Sequence, residues 1–408
     1  MGAMRRGIEP SAAVAALLQR RRAELGLTLR QVEARAQALG EPIPFTVIAR
    51  VEKGQVDPGF RRVNILLRIY EIPLQVAGDL ADLEIFGADA PAEAPLDYED
   101  AIRSWKTGDL RTAIAHLLAL KRRAEDDPAR DLERQKVLLA FAITAGSLGK
   151  YRLSRQIVDE ILLEPPDPSL LVSALTQAAV CWHRLGSGEV ALALLARAEG
   201  HVGKDDHKRR AWVHHSRAAT LASMGRFDEA RAELDRALAA YRAGNDPYGE
   251  SRAYGVLVRL LADRGDLAAA LEAARRAQQH ARAHDHARLL NMRRVDEGRV
   301  LLALGQTESA VAALNGALSA ALAMQDGESQ FHAHYQLWKA YGLLQDQARA
   351  DLELRASQYY VRFLDETTPE AVEVRATLGT RGEATAVASR DAVRPPARRD
   401  QHSASRRA

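Results

Sequence analysis

Apolar residues recur at helical spacing along most of this chain, and Gly or Pro residues interrupt the pattern at intervals. Near the amino end, Val47, Ile48 and Val51 would share one face of a helix that begins after Pro44. The opposite face of that helix would carry Phe45, Thr46, Arg50 and Lys53. A short helix with a basic, hydrogen-bonding outer face is typical of helices that enter the DNA major groove.

The same pattern predicts four further helices around this one. Ser11 would cap a first helix that is closed by Gly26, and Thr28 would cap the second. Two more helices would follow the basic helix, at residues 60–71 and 73–83. We therefore expect a five-helix domain that contains a helix-turn-helix.

A repeat of about 40 residues follows. Its turn positions are marked by Gly residues at 108, 149, 186, 225, 265 and 305, and Gln345 continues the series. Five residues after each turn stands a small residue that would let two antiparallel helices approach closely. These residues are Ala113, Ser154, Ala191, Ala230, Ala270, Ala310 and Ala350. Such a period predicts about seven helix pairs stacked into a right-handed α-solenoid.

These patterns divide the chain into four parts. Residues 1–86 form the predicted DNA-binding domain, and residues 96–364 form the helical repeat domain. Residues 87–95, GADAPAEAP, are poor in large apolar side chains and would be a linker. Residues 375–408 are rich in Arg, Ser, Ala and Pro, and we predict a disordered basic tail. The fold class is therefore all-α.

Charge is distributed unevenly along the chain. Its formal net charge is +3, whereas residues 1–71 hold twelve Lys or Arg against seven Asp or Glu, a net +5. That excess suits a phosphate-binding module, although a general preference for Arg would also produce it. A single cysteine, Cys181, excludes an intramolecular disulfide. With no apolar run long enough for a membrane helix, we expect a cytoplasmic protein with no membrane partner.

The amino-terminal pattern resembles the Xre or phage-repressor-like helix-turn-helix family. The resemblance covers roughly residues 12 to 83, and it is carried by GLTLRQVE and by the run Ile-x-x-Val-Glu-Lys-Gly at 48 and 51–54. In that family the Glu of this run is buried against an Arg of the first helix, which implies the pair Arg22 and Glu52. The resemblance also implies a double-stranded DNA operator as partner.

Nine residues are the candidates for DNA contact. Arg50 could bond bidentately to guanine, Thr46 would also face base edges, and Phe45 could contact a thymine methyl group. The others would hold phosphates or position the helices. The full set is Thr28, Arg30, Gln31, Phe45, Thr46, Arg50, Lys53, Arg61 and Arg62. The alternative is a degenerate repressor-like domain that is kept for protein contact.

The repeats resemble tetratricopeptide (TPR) repeats, most clearly in LASMGRFDEA at 221–230. In that family the concave groove is lined by the first helix of each pair. Such a groove would be basic with interleaved aromatics, and it would suit an acidic peptide, a peptide carboxylate or another anion. Ordinary solvated helix faces are the alternative. The residues assigned to the groove are Lys136, Thr176, His183, Trp212, His215, Arg252, Arg259, Asn291, Arg299, Tyr335 and Lys339.

Catalytic chemistry has little support in the sequence. Gly149-Lys150 lacks the earlier Gly and the Ser or Thr of a phosphate-binding loop. His280, His284 and His286 could in principle lie near one another, but helical surfaces rich in His are common. We therefore expect no enzyme activity, no cofactor and no metal site.

A repressor-like domain joined to a TPR array is similar to the peptide-sensing regulators of Gram-positive quorum sensing (the Rgg, PlcR, NprR and PrgX group). The resemblance implies a homodimeric transcription regulator whose array binds a peptide and changes the spacing of its two DNA-binding domains. A second hypothesis makes the array an adaptor that docks a partner protein, with the amino-terminal domain locating it on DNA.

Overall fold

The computed structural model describes residues 11–88, 97–125, 131–163, 166–361 and 368–377. Within these ranges the regular secondary structure is helical, with turns between the helices and no strand. This confirms the all-α fold class. The predicted tail beyond Thr377 lies outside the described residues.

The amino-terminal domain, which we call the head, consists of five helices. Thr28 begins the second one with a capping box, in which its Oγ1 accepts from the Gln31 N–H and the Gln31 side chain accepts from the Thr28 N–H. Val32, Ile48 and Leu66 are fully buried where these helices meet. The helices are α1 (Ala12–Glu24), α2 (Leu29–Ala38), α3 (Phe45–Glu52), α4 (Phe60–Ile69) and α5 (Leu74–Ala88).

A buried carboxylate ties three helices of the head together. Arg22 Nε donates to both carboxylate oxygens of Glu52 at 2.9 Å, and the Tyr70 hydroxyl donates to Glu52 Oε1 at 2.5 Å. Glu52 is only 4% exposed. A buried charge is tolerated when it is paired and hydrogen-bonded in this way. The pair that the repressor-like resemblance implied is therefore in contact, with Tyr70 as a third member.

Seven antiparallel helix pairs form the array, the name we use for residues 97–361. The predicted turn glycines all have positive φ, between 74° and 86°, and Gln345 takes the same conformation with φ 58°. The helices are α6 (Tyr98–Thr107), α7 (Leu110–Glu125), α8 (Asp131–Ser147), α9 (Tyr151–Leu163), α10 (Pro168–Arg184), α11 (Gly188–Gly200), α12 (His207–Ser223), α13 (Phe227–Ala243), α14 (Pro247–Asp263), α15 (Leu267–Ala283), α16 (Ala287–Ala303), α17 (Thr307–Ala323), α18 (Gly327–Leu343) and α19 (Gln347–Tyr360).

The small residues five positions after each turn are buried between paired helices. Six of the seven have no exposed surface, and Ala350 is 2% exposed. Several helices begin at an Asp whose side chain accepts a backbone N–H of the first turn, as Asp246 does from Gly249. Repeat spacing and helix caps together therefore fix where each pair begins and ends.

The head packs directly on the first repeats. Arg20 Nη1 lies 2.8 Å from Glu160 of α9, and Lys150 Nζ lies 3.1 Å from Asp79 of α5. Gly87 lies so close to the backbone of Ala115 that a side chain there would be crowded. α5 accordingly continues through residues 87 and 88, which we had assigned to the linker, and the remainder of that segment lies outside the described residues.

The array curls until its first repeats meet later ones. Arg288 of α16 donates through Nη2 to the Ser147 carbonyl of α8 at 3.0 Å. The rings of Trp105 and Tyr248, from α6 and α14, lie 5.5 Å apart and edge to face. These contacts join repeats 1 and 2 to repeats 5 and 6, so the inner wall lines a cavity that remains partly open to solvent.

One further helix, α20 (residues 369–377), follows the seven pairs. Ala371 and Val374 are fully buried in a cluster with Phe331 and Tyr335. The sequence predicts that the array ends at residue 364 and that a disordered tail begins at residue 375. This helix corrects that boundary, because its apolar face completes the core of the last repeat.

Candidate functional site

The first candidate site is the outer face of α3. The α3 amino end is held by Glu33, whose Oε1 accepts the Phe45 N–H at 3.2 Å. Ile48 and Val51 anchor the helix in the core, whereas Thr46, Arg50 and Lys53 are exposed. This helix therefore presents a polar, basic surface supported by a rigid core.

All nine candidate DNA residues have exposed side chains. The Arg30 guanidinium lies 5.7 Å from the centroid of the Phe45 ring, so α2 and α3 share one basic surface. Arg61 and Arg62 of α4 lie 2.7 and 3.7 Å from Glu41, which partly neutralises their charges. Thr28 and Gln31 use part of their hydrogen-bonding capacity in the α2 capping box.

The second candidate site is the cavity inside the array. Its volume is about 1000 Å³, and its wall is built from helices of repeats 1 to 7. Cavities of this size hold drug-sized ligands or short peptides. Trp212, Tyr151 and Tyr248 contribute aromatic surface, and Glu328 from the last repeat reaches the same cavity.

Arginine dominates the charge of the cavity wall. Arg209, Arg288 and Arg293 have carboxylate partners, at 2.5 Å for Arg209 to Asp206 and 3.0 Å for Arg293 to Asp296.

Arg184, Arg252 and Arg259 have no carboxylate within ion-pair distance in the described ranges. Arg184 instead faces the Tyr151 ring at 5.4 Å, and Arg252 faces the Tyr248 ring at 5.6 Å. Cation–π contacts of this kind only partly replace an ion pair. Three cations of the wall thus make no direct ion pair within the described residues, and carboxylates such as Glu328, Asp246 and Asp296 act on them only from a greater distance.

Helix α12 adds hydrogen-bonding atoms that have no partner among the described residues. They are Trp212 Nε1, His215 Nδ1 and Ser216 Oγ, and all three residues line the cavity. His215 is 7% exposed and Ser216 is 4% exposed. Buried polar atoms of this kind normally have partners, so their clustering on one helix face is informative.

The electrostatic environment of the wall follows from burial and like charge. Burial, reinforced by Arg184 and Arg259, lowers the pKa of His183 to about 4. Burial, with Arg252 and Arg293 nearby, lowers the pKa of His215 well below its ordinary value. His183 and His215 are thus neutral at pH 7, and the positive charge around them comes from arginine.

Five of the eleven predicted groove residues line the cavity: His183, Trp212, His215, Arg252 and Arg259. The other six do not, for local reasons. Thr176 is buried and donates to the Val172 carbonyl, and Asn291 has no exposed surface. Lys136 lies near Asp167 outside the cavity, and Arg299 bonds to Asp296 on its own helix.

The last two of these residues are covered by α20. Tyr335 donates to Glu373 Oε2 at 2.5 Å, and Lys339 is paired with the same carboxylate. The repeat pattern ends before α20, so it predicts open side chains at these two positions.

Other wall residues were missed by the sequence analysis, among them Arg184, Arg209, Ser216, Arg288 and Arg293. Arg209 and Ser216 lie three or four residues from Trp212, so they belong to the same helical stripe. A prediction that also included the residues one helical turn before and after Trp212 would have included Arg209 and Ser216. Arg288 would have remained hidden, because it reaches the cavity only through the closure of the array.

In the described part of the chain, no cluster of three His, Cys, Asp or Glu side chains could hold a metal ion. Among the same residues, no helix combines the length and apolar character needed to cross a bilayer.

Comparison with known proteins gives similarity at the level of fold. No protein-family model matches the chain, and no curated protein matches it. A Rap protein in complex with the competence and sporulation factor has a TM-score of 0.53 at 13% identity, over 74% of this chain and 87% of that one. Bacillus thuringiensis PlcR, in complex with the peptide PapR7 and DNA, has a TM-score of 0.40 at 14% identity, over 67% of this chain and 95% of that one. A Rap conjugation gene regulator of plasmid pLS20, in complex with the Phr* peptide, has a TM-score of 0.42 at 14% identity, over 97% of this chain and 100% of that one. The chain therefore shares a helical solenoid fold with this first Rap protein.

Proposed function

We propose that this protein is a sequence-specific DNA-binding transcription regulator whose array senses a ligand in its cavity. The observation that carries the proposal is the combination of two surfaces in one chain. One is the exposed basic face of α3, and the other is an arginine-lined cavity in the array, which packs against the head that contains α3. The α3 face would bind DNA, and ligand binding in the cavity would control that DNA binding.

The DNA-binding half rests on the geometry of the head. α3 is short, its inner face is locked by Ile48 and by the buried Glu52, and its outer face offers Thr46 and Arg50 to solvent. Guanidinium and hydroxyl groups on a helix of this kind can reach base edges in the major groove. Arg30 and Lys53 flank this face and would contact phosphates.

The sensing half rests on the cavity. Its buried polar atoms that have no partner among the described residues are costly in an empty site, and a bound ligand would satisfy them while pairing with the arginines. The fold shared with a Rap protein that was solved with a bound factor is consistent with this role. A homodimer on two operator half-sites, with ligand-dependent spacing between the heads, completes the proposal.

Selection of full-length protein on random duplex DNA, followed by titration of the enriched sequence, tests the DNA-binding half. Arg50→Ala should cost about 1 to 3 kcal/mol of binding free energy and relax preference at one base position, because it removes a base contact. Arg61→Ala should weaken all duplexes alike and reduce the salt slope by about one. Arg231→Ala, on the outer face of α13, serves as the control and should change nothing.

Failure of the selection to enrich any sequence, or equal binding by the Arg50 variant at every salt concentration, would contradict the proposal. The remaining candidate is then an adaptor that docks a partner protein on the array. Leu343, Leu352 and Tyr359, in the last helix pair, are large apolar or aromatic side chains exposed to solvent, and they are the residues through which such a contact would form.

A further inference from the structure

We infer that the ligand of the cavity is a compact molecule with two or more anionic groups, held by Arg184, Arg252 and Arg259. This inference rests on the proposed sensing function and names the chemistry of its ligand. Phosphate and carboxylate groups both fit, since each accepts two hydrogen bonds from a guanidinium.

The arrangement of the three cations favours more than one anionic group. Arg252 and Arg259 are seven residues apart on α14, so they share a face and are separated by about 10 Å along the helix axis. Arg184 reaches the cavity from α10. A ligand with two or three anionic groups matches this axial separation more closely than a single small anion does.

The cations also repel one another in the absence of a ligand. Burial, together with the neighbouring Arg299 and Arg184, lowers the pKa of Arg259 below its ordinary value. Arg184 and Arg259 nevertheless keep exposed surface, and this surface faces the cavity. A cation that neighbouring cations disfavour, as they do Arg259, and that faces a cavity is typical of binding sites for anions.

Helix α12 supplies the neutral part of the site. His215 and Ser216, each more than nine-tenths buried, contribute an Nδ1 and an Oγ that have no partner in the described structure. Trp212 adds an indole N–H. These atoms would bind the neutral polar groups of the same ligand, and the Trp212 ring would pack on its apolar part.

The closed shape of the array sets the size of the ligand. Arg288 joins α16 to Ser147 and to Glu328, and Trp105 packs on Tyr248. The cavity volume of about 1000 Å³ admits a small molecule or a peptide of a few residues. A long extended peptide would require these contacts to open.

Calorimetric titration of the full-length protein, without DNA, tests the inference. The probes are inorganic pyrophosphate, citrate and tetraglutamate at matched ionic strength, with tetralysine as the oppositely charged control. We expect at least one anionic probe to bind at one site per chain. Binding of pyrophosphate alone would assign a phosphorylated ligand, and binding of citrate or tetraglutamate alone would assign a carboxylate ligand.

Arg184→Gln and Arg259→Gln should each weaken that binding roughly 10- to 100-fold, because each removes a charge-assisted hydrogen bond. Arg231→Gln, an exposed arginine paired with Asp235 on α13, should change the affinity less than about twofold. Absence of binding by all three anions, or equal binding by the Gln variants, would overturn the inference.

Thermal unfolding without ligand separates binding from a structural role. The midpoint of Arg259→Gln should stay level or rise, since the substitution relieves repulsion. A marked fall would assign Arg259 to structure and overturn the inference. Because no DNA is present, failure here leaves DNA recognition untouched, and failure of the duplex selection leaves this test intact.

Discussion

Burial keeps certain histidine side chains of the array in the neutral form. His286 is the clearest case, because its Nδ1 accepts the Leu289 N–H at 3.1 Å and so caps α16. Burial, with Arg288 and His284 nearby, lowers the pKa of this imidazole to about 4. A protonated ring could not accept this bond, so the cap depends on the neutral form.

Stability should therefore fall as the pH drops below about 6.5. The unfolded chain gains a proton on His286 near that pH, whereas the folded chain gains it only near 4, so each pH unit between these values costs about 1.4 kcal/mol. His286→Asn, which keeps a capping oxygen but cannot titrate, should reduce the loss between pH 7 and pH 5. Urea denaturation at pH 7 and pH 5 measures this loss of unfolding free energy.

Exposed His201 provides the control for this experiment. His201→Asn makes the same substitution at an exposed histidine away from the α16 cap, and its slope of stability against pH is the baseline for comparison. An equal slope in wild type and His286→Asn would show that the cap does not titrate as we describe. His183, whose pKa is also lowered to about 4 by burial, will contribute a residual slope of the same sign.

Among the elements, the turns that join paired helices look alike in sequence but differ in surroundings. Gly108 and Gly225 have φ of 86° and 75° at equivalent turns. A side chain at Gly225 would meet nothing within 4 Å, whereas one at Gly108 would approach Arg288 Cβ to 2.9 Å. Gly108 is thus both a turn residue and part of the closure of the array.

Substitution by alanine should separate these two roles. Gly225→Ala should cost about 1 to 2 kcal/mol, from the left-handed backbone alone. Gly108→Ala should cost more and should also loosen the contact between repeats 1 and 6, which would appear as a larger radius of gyration in small-angle X-ray scattering. Equal costs and unchanged radii for both variants would contradict closure at this turn.

The contrast between these turns also shows how far the sequence predicts the structure. A 40-residue repeat is local information, so it located the seven turns and the buried small residues, such as Ala113 and Ala230. Closure depends on the accumulated rotation of all repeats, which no single repeat encodes. Arg288 and helix α20 were therefore missed, as were the consequences of α20 for Tyr335 and Lys339.

For the molecule as a whole, the question is how the cavity could influence the head. Residues 150 and 151 are adjacent and point in different directions. The Lys150 ammonium bonds to Asp79 and Asp82 of α5, at 3.1 and 2.9 Å, whereas the Tyr151 ring faces Arg184 and lines the cavity. A ligand that engages Arg184 would therefore act on the segment that holds α5.

Removing this connection should uncouple the two sites without destroying either. The double substitution Lys150→Met with Asp79→Asn avoids leaving the buried Asp79 as an unpaired charge. We expect ligand and DNA to bind separately with nearly native affinity. The coupling free energy, about 1 to 3 kcal/mol for allosteric proteins in general, should fall toward zero.

Duplex titrations with and without the anionic ligand measure this coupling, and reciprocity requires that DNA change the ligand affinity by the same factor. The matched control is Arg264→Met with Asp228→Asn, an ion pair of 2.7 Å on the outer surface of the array. Loss of coupling in both variants would point to general loosening of the repeats. Retention of coupling in the Lys150 variant would place the connection elsewhere in the interface, for example at Arg20 and Glu160.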